Sequence, residues 1–289
     1  MKIVSRGQEN SLGDVEVIQH AEINGAALAY VERGTGKPVV LAHGALSDYR
    51  TWSLQVEALS EQYHPVAYSL RYHYPNEWAD NADDYSRALH AADLIAFLRA
   101  LELGPVHLVG HSYGGALAAW VAKTHPELVR SLVLGEPSLA SILTAPVGEA
   151  LLAEQTREFE ETLQFFEQGN HEHAVREYLR IMVGMDVFDQ LPGVAQAVIM
   201  NNARTLGPML RTFYVGLPFS RDDARKMKVP TLLITGSRSP KLYRLITAEL
   251  AACLPNGQVV VLDGASHGLQ IEQPIEFNRA VNQFLSSQR

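Results

Sequence analysis

The chain of 289 residues has a single cysteine, Cys253, so no internal disulfide can form and its stability must come from a packed core. Cys253 sits in a helical pattern beside Leu250 and Leu254, where it reads as a core filler, and the chain suits a reducing compartment. Basic charge is also scarce. The 24 Lys and Arg stand against 32 Asp and Glu, a net charge of -8, and no basic run offsets that. A nucleic-acid partner is excluded on this ground, because such binding depends on neutralising phosphates. Long apolar runs are missing too. No stretch reaches the length of a membrane span, and Met1 to Glu9 carries charges where a secretory leader needs an apolar segment. A cytoplasmic protein with no membrane partner is therefore expected. No internal repeat or low-complexity tract is visible. What remains is 47% hydrophobic and 19% charged, the balance of a folded chain, and its length allows one large α/β domain with or without an insertion.

The most informative stretch is Pro105 to Gly115. Val106, His107, Leu108 and Val109 read as a buried strand that breaks into Gly110, His111, Ser112, Tyr113, Gly114 and Gly115. This is a G-x-S-x-G pattern followed by a helical run, Ala116 to Lys123. A strand turning sharply into a helix forces its apex residue into a strained backbone, and glycines on either side make room for the turn. Ser112 at the apex would hold its hydroxyl clear of the backbone, with the Tyr113 amide at the helix N-terminus aimed where an oxyanion forms.

In chain order, Val15 to Ile23 and Ala26 to Glu32 flank Asn24 and Gly25, a strong hairpin signal. Pro38 to Ala42 is a continuous apolar strand ending in His43, Gly44 and Ala45. A helix near Thr51 to Gln62 and a strand near His64 to Leu70 follow. A long helix from about Asn81 to Leu103 comes next, with Ala91, Leu94, Ile95, Leu98 and Leu101 on one face and Gly104 just past its end. After the strand Val129 to Leu134, residues 139–221 carry helical patterns only. Leu152, Phe159, Leu163 and Phe166 mark one helix, and Val175, Tyr178, Leu179 and Met182 mark another. Strands then return at Val229 to Thr235 and Gln258 to Leu262, with helices near Lys241 to Cys253 and Glu272 to Ser286. The alternation predicts an α/β fold with a mostly parallel central sheet flanked by helices. Residues 1–138 and 222–289 form its core, and a helical cap over 139–221 lies above the carboxyl ends of the strands.

A serine hydroxyl needs a base, and His267 in the loop after the last strand offers one. With His43 and Gly44, the serine elbow and this histidine loop in that order, the chain resembles an α/β-hydrolase-fold enzyme over nearly its whole length. The resemblance implies Ser112 as nucleophile, His267 as general base and an oxyanion hole from the amides of Ala45 and Tyr113. It implies no cofactor or metal. Most of the family places its acid after the strand that follows the cap, yet here that place reads Gly236, Ser237, Arg238, Ser239 and Pro240. Some members place the acid on the strand before the cap, where Glu136 stands, so Glu136 is chosen, with Asp263 the other candidate.

Other residues have less specific readings. Tyr72 and Tyr74, in the loop after the strand near His64 to Leu70, either wall a substrate pocket or pack under the cap. His43 with Gly44 braces the oxyanion turn at the edge of the substrate site, and His111 shapes the elbow or faces the pocket. His20, His64, His90, His107 and His125 read as solvated or structural. His171 and His173 lie two apart on a helix, hence on different faces, with no ligand set to hold a metal.

The first functional reading is a serine hydrolase of small esters or lactones. A second keeps the triad for carbon-carbon bond hydrolysis or cofactor-free dioxygenation, and a third is a silent ligand-binding member. A serine at the elbow argues against the haloalkane dehalogenases and epoxide hydrolases, which this family builds around an aspartate there. The partner is a small molecule in each case, and the oligomeric state, monomer or homodimer, is open.

Overall fold

The computed structural model describes residues 6–9, 15–78, 82–144, 146–213 and 217–288. The apolar runs become nine strands. In chain order these are β1 (Arg6–Glu9), β2 (Val15–Ile23), β3 (Ala26–Glu32), β4 (Lys37–Ala42), β5 (Tyr63–Tyr68), β6 (Val106–His111), β7 (Val129–Gly135), β8 (Thr231–Gly236) and β9 (Gly257–Leu262). They form one sheet in the order β1-β2-β3-β5-β4-β6-β7-β8-β9. The pairs from β1 to β5 through β3 are antiparallel, and those from β5 through β4 to β9 are parallel. Asn24 and Gly25 close the β2–β3 hairpin with positive φ of 47° and 79°, the backbone that a tight right-twisted hairpin requires.

The parallel strands carry apolar residues at successive positions because both faces are covered. Val40, Ala42, Leu108, Leu132, Leu134 and Leu233 face one layer of helices. Their neighbours Val39, Leu41, Val109, Val133, Leu232 and Ile234 face the other. The first layer holds α2 (Arg87–Ala100), α3 (Ser112–Thr124) and α9 (Lys241–Cys253), through residues such as Phe97, Leu117 and Ile246. The second holds α1 (Ser53–Leu59) and α11 (Pro274–Ser287), around Trp52, Phe277 and Phe284. Each large side chain so buried contributes about 1.5–3 kcal/mol. Cys253 is buried in the first layer, packed as sequence context suggests.

Between β7 and β8 the described residues contain helices and no strand. These are α4 (Val147–Glu167), α5 (His171–Val183), α6 (Gly193–Asn201), α7 (Leu206–Thr212) and α8 (Arg221–Lys226). The two expected amphipathic helices are α4, which buries Phe159, and α5, which buries Val175, Tyr178 and Met182. The other three escape sequence reading because six to nine residues span too few turns to display a period.

Boundaries differ for identifiable reasons. The expected helix start at Asn81 lies outside the described residues, and α2 begins at Arg87, where the Ser86 hydroxyl accepts the Leu89 N–H. The final helix is split, because Pro274 opens α11 and leaves α10 (Leu269–Glu272) as a separate turn. The strand β1 was not anticipated. Of the charged N-terminal segment Met1 to Glu9, residues 1–5 lie outside the described residues. Among the described residues no helix is long and apolar enough to cross a membrane.

Candidate active site

The site is built where β6 turns into α3. Ser112 has φ of +50°, the left-handed conformation of a strained apex. The glycines around it are fixed by close packing rather than by flexibility. A Cβ on Gly114 would lie 2.4 Å from the carbonyl oxygens of Ala42 and His43, and one on Gly110 would lie 2.6 Å from that of Gly114. Helix α3 thus starts in contact with the end of β4, which brings the turn of Gly44 and Ala45 beside the serine. A Cβ on Gly44 would sit 3.4 Å from that of Ser112. Tyr113 is in the first turn of α3, where a backbone N–H has no intrahelical acceptor.

The Ser112 hydroxyl lies 2.9 Å from Nε2 of His267. The opposite ring nitrogen, Nδ1, donates to Oε2 of Glu136 at 2.7 Å. Serine and histidine are 5% exposed, and Glu136 is fully buried. Glu136 follows β7 at φ of +43°, so both it and Ser112 hold left-handed backbone at the carboxyl ends of adjacent strands. Its second oxygen accepts from the Thr235 hydroxyl at 2.6 Å and the Gly236 N–H at 3.0 Å. Burial alone would push its pKa up, but the hydrogen bond and charge interaction with His267 and the Thr235 hydrogen bond outweigh it, leaving the carboxyl below its ordinary range. Asp263 is exposed and accepts from Ser237 at 3.1 Å. The carboxylate that meets His267 is therefore Glu136.

The loop bearing His267 is held from α10. The Glu272 carboxylate accepts from the backbone N–H of Ser266 at 2.7 Å and of Gly268 at 3.1 Å, and from the Ser266 hydroxyl. The Tyr243 ring packs on the imidazole at 4.1 Å between centroids. His111 donates from Nε2 to the His267 carbonyl at 2.8 Å. Burial lowers its pKa to about 3, so it stays neutral beside the imidazole.

A cavity of about 390 Å³ has in its wall Tyr243, which packs on His267, and none of Ser112, His267 or Glu136. Arg87, Ser138, Leu152, Phe213, Leu242 and Tyr243 are among its walls. Ser138 touches the elbow, since its N–H donates to the Ser112 carbonyl at 3.0 Å. The expected substrate residues His43, Gly44, His111, Tyr72 and Tyr74 are not in this wall. His43 is fully buried, donates from Nδ1 to the Gly44 carbonyl and accepts the Leu70 N–H at Nε2, and burial lowers its pKa to about 3. The Tyr72 hydroxyl donates to Asp84 at 2.5 Å, and burial with that carboxylate pushes its pKa to about 12. The Tyr74 ring lies under the Arg50 guanidinium at 4.0 Å, and its N–H donates to Asn202 at the end of α6. The Tyr72 ring packs on Trp78 and Tyr85, and Tyr74 meets the insertion through its backbone bond to Asn202.

Arg87, Thr235, Tyr243 and Glu272 carried no sequence motif. Arg87 had one overlooked signal, since it falls four residues before Ala91 on the apolar stripe of α2, where a cation is out of place. His171 and His173 pack on Phe166 and Phe165, and no group of His, Cys, Asp or Glu suited to a metal exists among the described residues.

The nine-stranded sheet, the strained serine and the helical insertion define an α/β hydrolase, and the chain belongs to that family, with residues 39–280 matching the Alpha/beta hydrolase family. It is similar to the (E)-2-((N-methylformamido)methylene)succinate hydrolase of Acinetobacter baylyi, 23% identical over 91% of this chain and 96% of that one. Among solved structures it resembles the enol-lactonase of Burkholderia xenovorans, with a TM-score of 0.77 at 21% identity, covering 92% of this chain and 99% of that one. The meta-cleavage product hydrolase of Pseudomonas fluorescens gives a TM-score of 0.71 at 22% identity, covering 93% and 98%.

Proposed function

We propose that this protein is a serine hydrolase that cleaves a small carboxylic ester or lactone through an acyl-enzyme. The observation that carries the reading is the unbroken relay from Ser112 through His267 to Glu136, at 2.9 and 2.7 Å. His267 takes the hydroxyl proton as Ser112 attacks the carbonyl carbon, and the carboxylate of Glu136 fixes the tautomer and stabilises the imidazolium. The amides of Ala45 and Tyr113 receive the developing oxyanion, aided by the N-terminus of α3. His267 then protonates the leaving alkoxide, and a water activated by the same imidazole releases the acid. The mechanism uses the chain's own groups throughout. An enol-lactonase among the structures this chain resembles supports lactones beside open-chain esters. The helices of residues 139–221 act as the cap that shields the acyl-enzyme.

The test is turnover of activated esters and lactones, with a fluorophosphonate label on the serine. Ser112→Ala is expected to lose both labelling and at least about 10³-fold in kcat. Equal turnover by the variant and the parent would remove the proposal.

A further inference from the structure

Arg87 is the feature that the hydrolase reading leaves unexplained. It is 6% exposed, more buried than the paired arginines Arg71 and Arg50. Arg71 and Arg50, more exposed than Arg87, each have a carboxylate, Asp93 and Asp48 respectively, at 2.7 Å. Arg87 has none among the described residues. Its terminal nitrogens donate to neutral acceptors, the Ser138 carbonyl at 2.9 Å and hydroxyl at 3.0 Å, and its Nε–H is buried without a partner. The rings of Phe213 and Tyr113 lie 4.6 and 5.1 Å from its guanidinium carbon, which compensates the charge only in part. A buried cation without a counter-ion is costly to a fold, and an apolar residue of similar size would avoid that cost.

The guanidinium lies in the wall of the cavity, which shares Ser138 and Tyr243 with the surroundings of Ser112 and His267 and has neither of those two residues in its lining. The remaining walls include Leu139, Leu152, Leu242 and Ile246 and, among the described residues, contain no acidic residue. A negative charge entering this space meets one cation in apolar surroundings, where their attraction is strong. Ser138 joins that cation to the elbow, because it accepts from Arg87 and donates its N–H to the Ser112 carbonyl.

We propose that this cavity is an acid-binding pocket in which Arg87 takes a carboxylate on the substrate's acyl arm, so that the preferred substrates are esters or lactones of anionic character. The arm's carboxylate supplies the missing counter-ion, and its apolar chain lies against the leucines. The planar fork of an arginine suits a carboxylate better than a lysine ammonium would. The assignment rests on the hydrolase reading only for how a bound substrate is used, since binding of the acid is a property of the cavity itself.

Kinetics on matched substrates tests it. Mono-p-nitrophenyl glutarate should exceed p-nitrophenyl pentanoate in kcat/KM by at least about tenfold in the parent protein. Arg87→Gln should lower that ratio about a hundredfold, chiefly through the KM of the anionic ester, with Arg87→Lys between them. A purely structural arginine would lower stability and leave the ratio where it was, which would overturn the proposal. Binding to Ser112→Ala provides a readout without turnover: monomethyl glutarate should raise the melting temperature, and methyl pentanoate at equal concentration should not. Equal effects of the two would also overturn it. If Ser112 labels and neutral esters turn over with no preference for the anionic one, the pocket assignment fails and the hydrolase reading stands. If no ester turns over but monomethyl glutarate binding depends on Arg87, the pocket stands and the hydrolase reading fails.

Discussion

Ser112 and Glu136 both hold backbone that side chains rarely adopt, at a cost of about 1–3 kcal/mol each. The strain aims both side chains into the space where His267 enters, and packing around the elbow sustains it. Glu136 makes the sharper test. Glu136→Gln replaces a charged acceptor with a neutral amide of the same shape, so His267 loses its tautomer preference and its cationic partner. A fall in kcat of about 10³–10⁴-fold is expected on activated esters, with the folded state retained by circular dichroism. A loss below tenfold would mean that the carboxylate does not support the base. The pH behaviour follows from the same group. Its folded pKa is depressed, so its stabilising contribution is full above the ordinary carboxylate range and is lost as pH falls through the folded value.

At the scale of elements, the site depends on α3 starting against the end of β4. Gly114→Ala would drive a methyl group into the carbonyls of Ala42 and His43, which belong to backbone that cannot swing aside. Elbow and strand must separate, so we expect a loss of about 1–3 kcal/mol in urea unfolding together with weaker fluorophosphonate labelling. Labelling and stability equal to the parent's would contradict the contact. A second joint ties the β2–β3 hairpin to α2. Asp93, 1% exposed, accepts two hydrogen bonds from Arg71 and one from Asn24, while Arg71 also donates to the carbonyls of Ile23 and Asn24. Asp93→Ala would strand a nearly buried guanidinium and should cost about 3–5 kcal/mol in the same assay. The hairpin turn was plain from Asn24 and Gly25, yet the partner of its side chain lies 69 residues away and no local pattern announces it.

For the whole molecule, the interior among the described residues holds five imidazoles that burial keeps neutral. Burial lowers the pKa of His43, His73, His90 and His111 to about 3 and that of His107 to about 4, from an ordinary 6.5. Between those values the unfolded chain binds protons that the folded chain refuses, so stability is full above pH 6.5 and falls as the pH drops. Each such histidine adds about 1.4 kcal/mol per pH unit to that slope. The melting temperature should therefore begin to fall steeply below about pH 6, well above the usual carboxylate range. A melting temperature constant from pH 8 down to 4.5 would show that these rings are protonated in the folded state.

The sequence by itself determined whatever rests on local stereochemistry. The hairpin, the apolar parallel strands and the serine elbow each need particular residues at fixed spacing, and the histidine loop follows the last strand in order. Ser112 and His267, singled out in this way, and Glu136, offered by the family resemblance, meet within hydrogen-bonding distance although 131 residues separate the acid from the base. Tertiary structure alone decided between Glu136 and Asp263, because only packing fixes which of two carboxylates at strand ends faces an imidazole. It also drew Tyr72, Tyr74 and His43 away from the cavity and brought Arg87 to it. A long side chain's partner depends on where distant elements converge, and neither periodicity nor residue type along one chain encodes that convergence.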